Sequence, residues 1–204
     1  NTTAGNNVAV GQDSLGSNTT GGQNTALGLS AMAGNTTATD NVAVGYIALL
    51  TNTTGGSNVA VGTAAMRMNT TGASNVGVGG IALNANTTAS NNTAVGYGAL
   101  QVNTSGGNNT AVGKGALDAN TTAASNTAVG AACLTTNTTG TQNVAMGVSA
   151  LEANTTGDNN VSIGNNSLSL NSTADNNTAV GHNAMLSNTT GTRNVAVGSL
   201  AADA

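Results

Sequence analysis

Residues 86–102 read Asn-Thr-Thr-Ala-Ser-Asn-Asn-Thr-Ala-Val-Gly-Tyr-Gly-Ala-Leu-Gln-Val. Residues 103–119 repeat them almost word for word, as Asn-Thr-Ser-Gly-Gly-Asn-Asn-Thr-Ala-Val-Gly-Lys-Gly-Ala-Leu-Asp-Ala. Outward from this pair the same 17-residue unit recurs in both directions without insertion or deletion, and twelve copies account for all 204 residues. A short fixed period predicts a solenoid, in which each repeat is one coil stacked on its neighbours. The expected fold is all-β, a parallel β-solenoid of twelve 17-residue coils forming a single array over residues 1–204.

Numbered from its Asn-Thr-Thr, each unit has invariant and drifting places. Place one is always Asn, place seven always Asn and place eleven always Gly. Place eight is Val or Thr. Place nine is Ala, apart from Gly77 and Ser162, and place ten is Val, Leu, Met or Ile. Place fifteen is Leu or Met until Ala202. Every charged residue and the single histidine, His182, fall at places five, six, twelve, thirteen or sixteen. Desolvating charge is costly, so these places are expected outside.

Val/Thr-Ala-Val reads as a short strand by β-branching and alternation. Places ten and fifteen, the consistently large apolar ones, are expected to fill the interior. Place nine, small and never charged, suggests close approach of a second surface, either another part of the same coil or a neighbouring chain. The place-eleven Gly is expected at a turn of positive φ or a crowded corner. The place-seven residues Asn7, Asn24, Asn41, Asn58, Asn75, Asn92, Asn109, Asn126, Asn143, Asn160, Asn177 and Asn194 are expected to form an amide ladder along the stack.

Composition narrows the function. The net charge is −4 and only 5% of residues are charged; aromatics are limited to Tyr46 and Tyr97, and Pro is absent. A thin coil has no room for large rings, so their scarcity fits a narrow rod. No basic stripe invites nucleic acid or an anionic membrane surface, and no apolar run is long enough to insert in a membrane. The chain opens and closes within the repeat pattern without a distinct cap, so it is expected to be a stretch of a longer fibre.

The motif Asn92-Thr-Ala-Val-Gly-Tyr-Gly-Ala-Leu100, followed by Asn103-Thr-Ser-Gly, resembles the repeats of phage tail-fibre shafts. It is also similar to the head repeats of trimeric autotransporter adhesins, where an Asn-x-Ala-Val/Ile-Gly strand recurs once per coil. The resemblance covers all twelve repeats. It implies a left-handed parallel roll assembled as a homotrimer, extracellular or on a virion, holding a receptor-binding tip at a distance. Adhesin heads commonly use a shorter repeat, and the Asn-Thr-Thr-Gly unit fits the tail-fibre version better. An end-to-end filament of such rods is an alternative, and so is a rod whose own surface adheres to glycan, cell or ice.

No catalytic constellation, cofactor site or metal site is expected. His182 stands alone at a variable place. Cys133 replaces Ala at place fourteen and reads as a small buried hydrophobe, with an interchain disulfide as the other reading. Asp158 and Asp175 stack in adjacent coils but lack the Gly-rich calcium motif. Each repeat opens with Asn-x-Thr/Ser, so Asn1, Asn18, Asn35, Asn52, Asn69, Asn86, Asn103, Asn120, Asn137, Asn154, Asn171 and Asn188 are formal glycan acceptors. Turn-and-ladder chemistry is the competing account of the same residues. Of the two adjacent Thr files at places two and three, only one would face out.

Overall fold

A computed structural model describes residues 3–203. It contains twelve three-residue strands: β1 (Val8–Val10), β2 (Thr25–Leu27), β3 (Val42–Val44), β4 (Val59–Val61), β5 (Val76–Val78), β6 (Thr93–Val95), β7 (Thr110–Val112), β8 (Thr127–Val129), β9 (Val144–Met146), β10 (Val161–Ile163), β11 (Thr178–Val180) and β12 (Val195–Val197). They form one parallel sheet in chain order. Each residue pairs with its equivalent one repeat later, as Ala94 with Ala111. The fold is therefore a β-solenoid with one coil per repeat, and the described residues contain no helix. At strand spacing, each coil advances the rod by about 4.8 Å.

Strands are short because the invariant Gly ends them. All twelve place-eleven glycines have φ between 126° and 142°, where an L side chain is strained. In the first eleven coils, a Cβ there would also collide with the carbonyl of the next Gly in the file. Beyond this corner the chain closes by tight turns. The place-fourteen N–H donates back to the place-eleven carbonyl, as from Ala99 to Gly96 at 3.4 Å. The place-fifteen N–H donates to the place-fourteen carbonyl of the following coil, as from Leu100 to Ala116 at 3.0 Å. Places six, thirteen and fifteen are also left-handed throughout the array. That explains why place six holds mainly Asn, Ser, Gln and Asp, whose short polar chains tolerate this conformation.

The interior differs from the sequence expectation at one file. Place fifteen is inside: Leu49, Leu83, Leu100 and Leu117 are fully buried. Place ten is not. Val95 and Val112 are half-buried, and Leu27, Met146 and Ile163 are exposed. The inward residue of the strand is place nine, where Ala94 and Ala111 are fully buried. The reason is room. A Cβ on Gly77, at place nine, would stand 3.2 Å from Cγ of Met66, the place-fifteen residue of the preceding coil. One large side chain per coil fills the space, and only a small one fits against it. The small file at place nine is thus explained within a single chain.

Candidate functional surfaces

Two Asn ladders line the part of the coil away from Leu100. At place seven, from the second coil on, the backbone N–H donates to Oδ1 of the preceding Asn of the file, as from Asn92 to Asn75 at 3.0 Å. Its Nδ2 donates to the place-four carbonyl of the following coil, Gly106 at 2.9 Å. At place one, Nδ2 donates to the preceding Oδ1, Asn103 to Asn86 at 3.1 Å, and also to the carbonyl of its own coil, again Gly106 at 2.9 Å. Each place-four carbonyl thereby ties both ladders together. Buried amides are tolerated here because their donors and acceptors are met.

Of the two accounts of place one, this arrangement favours the turn-and-ladder one over the glycan acceptor. Asn35, Asn52, Asn69, Asn86, Asn103, Asn120, Asn137, Asn154 and Asn171 are fully buried, and Asn18 nearly so. Their Nδ2 atoms, the atoms a glycan would substitute, already donate inside the rod. Asn188 is half-buried and bonded in the same way. Asn1 lies outside the described residues. The signal that separates ladder from sequon is the strict invariance of place one across twelve coils, since an exposed place would drift.

Polar substitutions inside the apolar wall are also satisfied. Cys133 is buried and its Sγ–H donates to the Ala145 carbonyl at 3.2 Å. Burial pushes its thiol up to about 12, so it remains a protonated, unreactive thiol. Ser162 donates to Ser167 at 2.7 Å, and Ser167 to Ala179 at 3.1 Å.

The Asp158–Asp175 pair serves the backbone. Oδ1 of Asp158 accepts from the Thr141 N–H at 2.6 Å and hydroxyl at 3.0 Å. Oδ1 of Asp175 accepts from the Asp158 N–H at 2.8 Å. Among the described residues no three His, Cys, Asp or Glu side chains gather where a metal ion could be held. His182 is exposed at the surface of the eleventh coil.

Two outward features remain. The outer face of the sheet carries places eight and ten, a ribbon of Val, Thr, Leu, Met and Ile in which no coil places a charge. Beside the turn, the place-two hydroxyls are used internally, as from Thr87 to the Thr104 carbonyl at 3.1 Å. The place-three hydroxyls of Thr54, Thr71, Thr88 and Thr122 are exposed. Comparison with family models, with curated proteins and with solved structures gave no match.

Proposed function

We propose that this chain is a mechanical element, the shaft of a phage tail fibre or surface adhesin. It stands outside the cell or on a virion, carries no catalysis, and holds a receptor-binding tip away from its base. The observation that supports this reading most is the joint between coils. Each coil bonds to the next through the strand, two amide ladders and the Thr hydroxyl file, and a buried Leu or Met fills the interior of each of the first eleven coils. Such a stack resists bending and extension, because lengthening it breaks several bonds at once.

The shaft is a homotrimer packed through the outer sheet face. An outward strand surface that stays free of charge in twelve coils is unusual for a wet sheet, where polar residues normally alternate with apolar ones. Large uncharged ribbons on otherwise polar proteins are contact surfaces. Three chains turned inward on places eight and ten would bury that ribbon and leave the charged places in water. Handedness and trimeric assembly follow the resemblance to tail-fibre and adhesin repeats.

The test is sedimentation and native mass measurement of the array, alone and with Val95→Asp and Val112→Asp together. A trimer is expected for the parent chain. The double variant should retain its β circular dichroism and lose the trimer. A parent chain that stays monomeric overturns the assembly. The exposed place-three hydroxyls favour the adhesive alternative, in which the rod surface itself binds. Removing two 17-residue units in frame distinguishes the readings: a shaft shortens by about 10 Å with tip binding unchanged, whereas an adhesive surface loses affinity with each coil.

A further inference from the structure

Most exposed places of the coil drift. Place six is exposed in every coil and holds Asn, Gln, Asp, Ser or Arg. Place twelve ranges over Gln, Leu, Tyr, Thr, Gly, Lys, Ala, Val, Asn, His and Ser. Place three does not drift. It is Thr in every coil but one, which has Ser105, and it is exposed throughout.

The fold does not account for this constancy. Place one is fixed by its ladder and place eleven by its corner, but the place-three side chain has no such task. The hydroxyls that bond along the rod belong to place two, as Thr53 to the Thr70 carbonyl at 3.1 Å and Thr70 to the Thr87 carbonyl at 3.0 Å. Among the described residues no place-three hydroxyl bonds within the chain. Solvation alone does not call for Thr, because Ser, Asn or Lys would meet water equally well without the methyl. The file is also held in register. The place-three N–H donates to the place-two carbonyl of the following coil, as from Thr71 to Thr87 at 3.2 Å. The result is one hydroxyl and one methyl per coil, repeated every 4.8 Å or so, about the strand spacing.

A ligand of ordinary size touches a few coils and leaves the others free to drift. Constancy in every coil needs a partner that is itself periodic along the rod. The file carries no cations for a nucleic acid. It has none of the aromatic, Met or Arg anchors through which a protein partner is held. Nor is it a concave site with polar groups converging on a small ligand. Ice is uncharged, flat and periodic, and its surface waters are met by hydroxyls that bond them and methyls that sit against them. We propose that the place-three file binds ice, its hydroxyls anchoring a layer of water whose order continues into the crystal. This goes beyond the shaft reading and needs neither the trimer nor a tip, so the two readings fail separately.

The experiment freezes a dilute solution of the 204-residue chain slowly from one cold surface and measures the protein taken into the ice. The parent chain should be enriched in the ice, and serum albumin, run beside it, should stay in the liquid. Thr71→Lys with Thr88→Lys interrupts the file at two adjacent coils without removing any bond within the chain. It should keep the β circular dichroism and the melting curve and lose the uptake. Thr63→Lys, at place twelve where Lys114 already stands, should be taken up like the parent. Thr71→Ser with Thr88→Ser, a change that Ser105 shows the coil accepts, should lower uptake through loss of the methyls. A parent chain left in the liquid as fully as albumin would overturn the proposal. So would undiminished uptake of either folded place-three variant. Retention of the parent on an insoluble polysaccharide, without uptake into ice, would assign the file to a glycan and overturn it as well.

Discussion

In the sixth coil, one part of the interior is built from Asn86, Asn92 and the backbone around Ala89, and the other from Ala94, Ala99 and Leu100. Both parts are fully or almost fully buried, yet they hold by different physics. The apolar part is non-directional: its energy scales with area removed from water, and it accepts Leu or Met at place fifteen and Ala, Ser or Cys at place fourteen. The amide part is directional. Asn92 donates from its N–H and Nδ2 and accepts at Oδ1 from the Asn109 N–H at 2.9 Å, and no other side chain offers this set at this length. Tolerance on one side and invariance on the other follow from that contrast.

The largest effect expected from breaking the contrast is Asn92→Asp. The carboxylate keeps the acceptor for Asn109 but turns a second oxygen toward the Gly106 carbonyl, in a place without water. An uncompensated buried charge costs about 4–5 kcal/mol, so coils five to seven should open at neutral pH. The sign with pH is definite. Burial raises the folded carboxyl above its unfolded value, so the variant is most stable in acid, where the protonated group donates to Gly106, and loses stability as pH rises through the folded value. Thermal melts at pH 3 and pH 7 would check this, and equal destabilisation at both would show that the ladder does not depend on the donor.

Leu100→Ala comes next, at about 3 kcal/mol from lost burial and the cavity left behind, with no dependence on pH. Leu100→Met should be nearly neutral, since Met32, Met66 and Met185 occupy the same place elsewhere. Chemical denaturation of the three chains would rank them. A Met variant as damaged as the Ala variant would mean that place fifteen is shaped for one side chain rather than filled by volume.

These contrasts bear on how much was legible beforehand. The period, the strand, the inward place fifteen and the Gly corner were readable because each leaves a mark on every repeat. The facing of places nine and ten was misread because residue size was taken as a sign of burial. In a rod one side chain thick, the partner of a buried Leu must be small, so Ala94 is inside and Val95 turns outward. Place one carried two readings, glycan acceptor and turn-and-ladder residue, and a single sequence does not show that its Nδ2 donates to the Asn of the preceding coil. Its invariance was the available clue. The left-handed backbone at place fifteen, as at Leu100 with φ of 51°, has no sequence signal, since Leu rarely adopts it and the stack imposes it.

The smallest effect expected is at place sixteen, on the border between interior and water. Most residues there are half-buried and varied, among them Arg67, Gln101 and Glu152. Asp118 is the member whose Oδ1 is buried without a hydrogen-bond partner, and desolvation by burial raises its carboxyl above the ordinary aspartate value. A raised folded value means that the folded chain holds the proton more tightly than the unfolded chain. Stability at this residue is therefore complete in acid, below the unfolded value, and falls as pH rises through the folded one. Asp118→Asn keeps the shape and removes the charge. It should raise the melting temperature slightly at pH 7, and the gain should vanish below the usual titration range of aspartate. Melts of both chains between pH 2.5 and pH 7 would measure it. A gain that persists unchanged in acid would assign the effect to packing at the border rather than to a charge drawn partly out of water.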